Sequence, residues 1–265
     1  MTSLKCAKGM IVVIIQARMG ATRLPDKVLK EVCGKTLLEH LFLRLAMCKT
    51  IDNVIVATTD SPNDDAVAEL TTSLGRLVYR GSEQDVLDRY YQAAKKCGAD
   101  TIVRITADCP LMDSRIVDMV VERFVRGKGK HHYVSNINPP TYPDGMDVEV
   151  FSFTALERAW REGKLPSERE HVTPYIRNHP EFFSTTNVAH PVDLSAFRLT
   201  VDEPRDLELI TQILNSLYPT NPTFSMEDTM QLLHARPELL SINSDIKRNE
   251  GMKKSLGEDK KFGKA

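Results

Sequence analysis

A chain of 265 residues, 42 % hydrophobic and 27 % charged, is long enough for one large core or a core with an appended subdomain, and too apolar for general disorder. Its formal net charge of −1 gives no global electrostatic case for nucleic acid or an anionic membrane as partner, so any basic site must be local. Five scattered cysteines without a CxxC or His-rich pattern read as reduced thiols, no apolar run can span a bilayer, and the first ten residues lack a signal peptide's apolar region, so a cytoplasmic protein is expected.

In chain order, the apolar run at 10–15 reads as a buried strand, and the amphipathic stretch 36–49 follows as a helix. Val- and Ile-rich strands are expected at 53–58 and 101–106, a shorter one at 77–79, and helices at 64–74, 85–97 and 113–126. Repeated strand–helix alternation predicts an α/β fold with a mainly parallel sheet and helices on both faces. From residue 133 the rhythm changes to candidate strands at 133–136 and 146–153 around a Pro-rich loop, a small antiparallel extension within 133–153. Helices at 154–162 and 168–178, a strand at 197–201 and a helix at 204–217 opened by Pro204 complete a domain over 1–218. A small helical segment is expected within 219–246, with its helix at 226–234. The tail 247–265, rich in Lys and Gly, is expected to be poorly ordered.

The loop QARMGATRLPDK, from Gln16 to Lys27, leaves the first strand and sets Arg18, Arg23 and Lys27 around the small residues Gly20 and Ala21. Small residues let backbone N–H groups approach phosphate oxygens, Arg supplies forked donors and Lys a mobile point charge, so such a loop can wrap a polyphosphate. It is neither a Walker A loop nor a dinucleotide fingerprint. A solvated basic loop is the plainer alternative, weakened by the position of three cations at the sheet edge where α/β proteins bind ligands.

The strand at 101–106 runs into Ala107-Asp108-Cys109-Pro110, and the strand at 197–201 into Asp202-Glu203-Pro204, which brings two aspartates to that edge. A carboxylate repels a polyphosphate unless a divalent cation lies between them, and Mg²⁺ typically binds one or two carboxylates plus phosphates. Asp108 as a turn or helix cap is the alternative. Thr58 and Asp60 sit at the exit of the second strand. Gly81, Ser82, Asp85 and Arg89 come from GSEQDVLDR; Ser82 and Asp85 also suit helix capping, whereas Arg89 could carry a fork to a base edge or a carboxylate. In the later half, Tyr142, Asp144, Asp147 and Glu149 cluster at a turn and strand, with Asp147 and Glu149 on one face by period-two spacing. Ser167 and Glu170 resemble a capped helix start, from which Arg169 and His171 could reach an anionic substrate; a lone His there is more often structural.

Together QARMGATRLPDKVL, ATTD, GSEQDVLDRYYQA, VRITADCPL, YPDGMDVEVF, REHVTPY and LTVDEPRDLELI resemble the cytidylyltransferase family of the spore-coat polysaccharide protein SpsF and, more distantly, the CMP-Kdo and CMP-sialic acid synthetases. The resemblance spans roughly residues 10–218. It implies a Rossmann-like, nucleotide-diphosphosugar transferase fold, use of CTP, and dependence on one or two Mg²⁺ ions. Carried over by position, it makes Arg18, Arg23 and Lys27 triphosphate ligands in a nucleotide site that also takes in Gln16 and Ala17, and it makes Asp108 and Asp202 metal ligands. Asp202 belongs to a D-x-P-x-D-L motif completed by Pro204, Asp206 and Leu207. The signatures of the acidic-sugar synthetases are not matched, so the sugar is not identified.

The implied reaction is attack by a sugar hydroxyl on the α-phosphorus of CTP, releasing pyrophosphate, with Arg18, Lys27, Asp108 and Asp202 carrying the catalysis. Two alternatives stay open: a metal-dependent glycosyltransferase with a nucleotide-sugar donor, and a non-catalytic nucleotide-binding protein on the same fold. The expected partners are CTP and a small sugar, with no nucleic acid and no membrane. A homodimer is expected from the family, with 133–153 contributing.

Overall fold

The first strand, β1 (Ile11–Gln16), is apolar at successive positions because both of its faces are covered. Ile11, Val13 and Ile15 point into one core and Val12 and Ile14 into the other, as period-two geometry requires. Each such fully buried side chain contributes on the order of 1.5–3 kcal/mol. The structure, a computed structural model, describes residues 9–248 and 250–262; Cys6 and the last three residues of the expected tail lie outside them.

After β1 the chain passes a short 3₁₀ turn (Lys27–Leu29) and a two-stranded hairpin, β2 (Glu31–Val32) with β3 (Lys35–Thr36), absent from the sequence reading. Thr36 and Glu39 then form a capping box at the start of α1 (Leu37–Leu45). There follow β4 (Asn53–Thr59), α2 (Asp65–Ser73), β5 (Leu77–Gly81), α3 (Val86–Cys97), β6 (Thr101–Thr106) and α4 (Ser114–Arg126). The later half holds β7 (Tyr133–Ser135), β8 (Glu149–Ser152), α5 (Phe153–Glu162), α6 (Pro166–His171), α7 (Pro174–Asn178), β9 (Thr185–Asn187), α8 (Pro204–Leu217), α9 (Met226–Ala235) and α10 (Glu250–Phe262).

Seven strands form one sheet in the order β5-β4-β1-β6-β8-β7-β9. β5, β4, β1 and β6 run parallel, whereas β8 pairs antiparallel with both β6 and β7. From β1 the chain moves outward through β4 and β5, then returns to β6 on the other side of β1. The switch point therefore lies between the ends of β1 and β6, where open α/β sheets bind ligands. One face carries α1, α4 and α8; the other carries α3 and α5.

The antiparallel extension is present as β7 and β8, within the main sheet, and its Tyr133, Val134, Val150 and Phe151 side chains are at most 1 % exposed, so they offer no dimer surface. Three expectations need correction. The expected helix 168–178 is two short helices, because Val172 adopts φ 70° and Pro174 restarts the chain. Residues 197–201 form no sheet strand; they run beside Asp144, whose N–H donates to Phe197 O at 2.9 Å and whose carbonyl accepts from Leu199 N at 2.7 Å. The tail differs most: α10 is an ordered helix against α6, its Asp259 Oδ1 accepting from Ser167 N at 2.9 Å. Its low apolar content predicts disorder, whereas in the structure it is held by polar contacts.

Gly145 lets 197–201 approach this closely. At φ 102°, a Cβ there would stand 2.6 Å from the carbonyl carbon of Leu199. Gly145→Ala is expected to lower stability by about 1–3 kcal/mol in urea unfolding. An unchanged midpoint would show that the 197–201 segment yields freely.

Candidate active site

Asp26, at φ 57°, turns the chain after the cationic loop so that Lys27 points inward. Its ammonium donates to Asp108 Oδ2 at 2.8 Å, Asp202 Oδ1 at 2.7 Å and Val201 O at 2.8 Å. Burial alone would lower its pKa, but Asp108 and Asp202 outweigh burial and hold it above the ordinary lysine value. Burial likewise opposes ionisation of Asp108, yet Lys27 and the Thr106 hydroxyl, 2.5 Å away, bring its carboxyl down to about 2. Two aspartates about 94 residues apart in sequence thus present oxygens to one cation-sized point.

Two cavities of about 540 and 500 Å³ meet at Asp108 and Asp202. The smaller is bounded by the loop from Gln16 through Arg23 to Lys27; the larger by Arg104, Asp144, Asp147, Glu149, Arg177 and Arg198. A third space of about 100 Å³ lies among Ala17, Arg18, Arg89 and His171. Arg18 is half-exposed, 3.7 Å from Glu83. Arg23 meets Asp202 at 3.3 Å, Glu203 at 3.2 Å and Glu250 at 2.8 Å.

The larger cavity is walled by paired charges. Glu149 accepts from Arg104 at 2.5 Å, the Tyr133 hydroxyl at 2.6 Å and the Thr173 hydroxyl at 2.5 Å, while Arg104 also donates to Gln16 Oε1 at 3.0 Å. Burial opposes ionisation of Glu149 but Arg104 prevails, holding its pKa below the usual value. Asp147 pairs with Arg248 at 2.5 Å, and burial still keeps its pKa raised. Asp144, partly buried and close to Asp147, is pushed up to about 6, chiefly by desolvation, despite Arg248 and Arg198.

Arg198, missed in the sequence, organises this wall. Its guanidinium forks onto Asp206 with two contacts of 2.9 Å, reaches Asp144 at 2.9 Å and Asp202 at 3.1 Å. Asp206 in turn accepts from the Asp202 and Glu203 N–H groups at 3.0 Å, capping α8 and fixing the turn that carries Asp202. The D-x-P-x-D-L spacing was the available signal for Asp206. Arg104, Arg177, Arg198 and Arg248 had none, since an isolated Arg in a strand, short helix or tail has no distinguishing pattern.

Several predicted residues do other work. Thr58 is buried inside β4, and Asp60 is exposed, its N–H bonded to Gly81 O at 2.9 Å. In their place Asp64, unpredicted, holds the cationic loop by accepting Met19 N at 2.7 Å. Gly81 gives room to Tyr79 and Arg89, and the Ser82 carbonyl accepts from Arg89. Asp85 caps α3 through Asp88 N at 2.9 Å and pairs with Arg169, tying α3 to α6. Arg169 and Asp85 therefore brace the wall and line neither large cavity. Tyr142 turns its hydroxyl to Met119 and contributes only its carbonyl, 3.3 Å from Arg248. Ser167 is not the cap of α6; Glu168 fills that role, accepting Leu165 N at 2.9 Å. His171 faces the cavities with Nε2 3.1 Å from the Ser255 hydroxyl, its pKa lowered by burial.

The sequence profile of the family described as cytidylyltransferase matches residues 12–246. The chain belongs to the cytidylyltransferase family. It is 40 % identical over 240 residues to an uncharacterised protein of Methanocaldococcus jannaschii, covering 90 % of this chain and 96 % of that one. It is 33 % identical over 235 residues to the spore coat polysaccharide biosynthesis protein SpsF of Bacillus subtilis, covering 86 % and 95 %. A solved cytidylyltransferase from Leptospira borgpetersenii superposes with TM-score 0.84 at 35 % identity, covering 88 % of this chain and 97 % of that one. The distant relation to the CMP-Kdo synthetases holds over part of the chain: 32 % identity across 113 residues with 3-deoxy-manno-octulosonate cytidylyltransferase of Geobacter sulfurreducens, 42 % of this chain and 44 % of that one. The protein is thus a nucleotidyltransferase of this family, and no helix among its described residues is long and apolar enough to cross a membrane.

Arg198 holds three carboxylates, and removing it leaves Asp206, 0 % exposed, as an unpaired buried charge. Arg198→Met is expected to cost about 3–5 kcal/mol in urea unfolding, with Arg198→Lys recovering only part because an ammonium lacks the fork. A Met variant within about 0.5 kcal/mol of wild type would contradict this role.

Proposed function

We propose that this cytidylyltransferase joins CMP from CTP to a sugar hydroxyl and releases pyrophosphate. The observation that carries the reading is the convergence of Asp108 and Asp202 on the Lys27 ammonium at the junction of two cavities. The loop-lined cavity suits the triphosphate, and the larger one, rich in polar side chains, suits a hydroxylated acceptor. The space between Arg18, Arg89 and His171 suits the base end of the nucleotide.

The donor set fits Mg²⁺. Two carboxylates face a single point already filled by a stand-in cation, and Mg²⁺ commonly takes one or two carboxylates with the remainder from phosphate and water. Among the described residues no group of three or more His, Cys, Asp or Glu could hold a metal, so this reading has the ion arriving with the triphosphate. Held by Asp108 and Asp202, it would neutralise phosphate charge and acidify the attacking hydroxyl.

Lys27 leaves the two aspartates as the nucleotide binds and carries its charge to the phosphates. Arg18 and Arg23 fork onto phosphate oxygens and stabilise charge developing on the pyrophosphate as the bond to the α-phosphorus breaks. Glu149 and Asp144, already fixed by Arg104 and Arg198, present acceptors to the sugar hydroxyls together with Asp147 and orient one in line with that phosphorus. The work is positioning and charge neutralisation, and it asks no side chain to act as nucleophile. A homodimer remains part of the proposal, to be checked by light scattering; its interface would lie outside the buried side chains of β7 and β8.

The test is pyrophosphate release with each of the four NTPs, Mg²⁺ and a panel of sugars. CTP with a sugar is expected to give a sugar-dependent signal. Asp108→Ala and Asp202→Ala are expected to lower kcat by at least about 10³-fold, and Lys27→Ala to raise the CTP KM, lower kcat, or both. Wild-type rates in either Asp variant, or sugar transfer from a nucleotide-sugar without pyrophosphate release, would overturn the reading.

A further inference from the structure

The cytidylyltransferase profile ends at residue 246, and described residues beyond it line both cavities. Arg248 reaches the acceptor side. Its guanidinium meets Asp147 at 2.5 Å, Asp144 at 3.7 Å and the Tyr142 carbonyl at 3.3 Å. Glu250, the first residue of α10, reaches the nucleotide side and holds Arg23 at 2.8 Å. Further along, the Ser255 hydroxyl bonds Glu170 and lies 3.1 Å from His171 Nε2.

These contacts compete with the groups the cavities are suited to. A triphosphate brought to Arg23 would meet the Glu250 carboxylate on the same guanidinium, and anion repels anion. An acceptor brought to Asp144 and Asp147 would find both engaged by Arg248. The helix is also weakly built: Gly251 and Gly257 lower its propensity, Ser255 is its only buried residue, and Leu256 and Phe262 are 46 % and 54 % exposed. An element held by polar contacts over so little buried apolar surface opens at low cost.

We propose that Arg248 and α10 form a releasable strap that inhibits the enzyme from within, Glu250 standing in for a phosphate on Arg23 while Arg248 closes the acceptor pocket. The strap must release before CTP and acceptor bind productively. This rests on the nucleotide reading of the loop at 16–27, and it adds a control that lies outside the family-matched residues.

The experiment measures CTP affinity in the full chain for wild type, Glu250→Gln and Arg248→Gln, with hydrogen exchange across 250–262 with and without CTP. The strap predicts about 2- to 5-fold tighter CTP binding in Glu250→Gln, the range for a half-exposed ion pair, and tighter binding in Arg248→Gln as well. Simple electrostatics predicts the opposite for Arg248→Gln, since it removes a cation near a polyanion. CTP should also raise exchange across 250–262 in wild type. Unchanged or weaker binding in both variants, or lower exchange on adding CTP, would overturn the strap in favour of a permanent wall or a closing lid. If no protein binds CTP, the nucleotide reading fails; raised exchange across 250–262 in Arg248→Gln would then still support the strap as a closure, and unchanged exchange would overturn it too.

Discussion

The ammonium of Lys27, held between Asp108, Asp202 and the Val201 carbonyl, is the contact on which the site depends. It joins three parts of the chain that the sheet brings together: the loop after β1, the exit of β6, and the extended segment before α8. Without a cation there, two ionised carboxylates would face each other in a partly buried space, a costly arrangement. With it, the two carboxylates are held aimed at one point. That preorganisation is what a charge-neutralising active site requires, since donors and acceptors already in place need no rearrangement during reaction.

Around this point the wall of the larger cavity is a chain of ion pairs rather than an apolar surface. Glu149 leans on Arg104, Asp206 and Asp144 on Arg198, and Asp147 on Arg248. Breaking one buried partner is expensive, so these side chains have little freedom to adapt. On the function proposed above, a wall of this kind favours an acceptor with hydroxyls at fixed spacing. The Arg248 contact differs in kind, because Arg248 lies on the segment leading into α10, which is held mainly by polar contacts.

The parallel half of the fold was legible in the sequence because its signals are local. Strands buried on both faces read as continuous apolar runs, as at Ile11–Gln16 and Asn53–Thr59, and α3 and α4 carry Asp85 and Asp113 as caps. The cationic loop and the two strand-exit aspartates were legible for the same reason. Residues 197–201 look like a strand by composition, yet their backbone partners are the Asp144 loop and Asp108, a long-range pairing that no local pattern encodes. The roles of Arg198, Arg104 and Asp64 are equally non-local. Thr58, Asp60 and Arg169 lie near the motifs in sequence, yet the fold buries Thr58 in β4, leaves Asp60 exposed and pairs Arg169 with Asp85. The composition of the tail is equally compatible with a polar helix docked by polar contacts and with a disordered segment, so it does not encode α10.

The central claim is that Asp108 and Asp202 form one half of a cation site that Lys27 fills until metal and nucleotide arrive. A crystal structure of the enzyme with CTP and Mn²⁺, read by anomalous scattering, tests it most directly. The account predicts a manganese peak bound by the Asp108 and Asp202 carboxylates, with Lys27 Nζ moved onto phosphate oxygens. Manganese bound elsewhere, with Lys27 still between the two aspartates and CTP in the cleft, would contradict it.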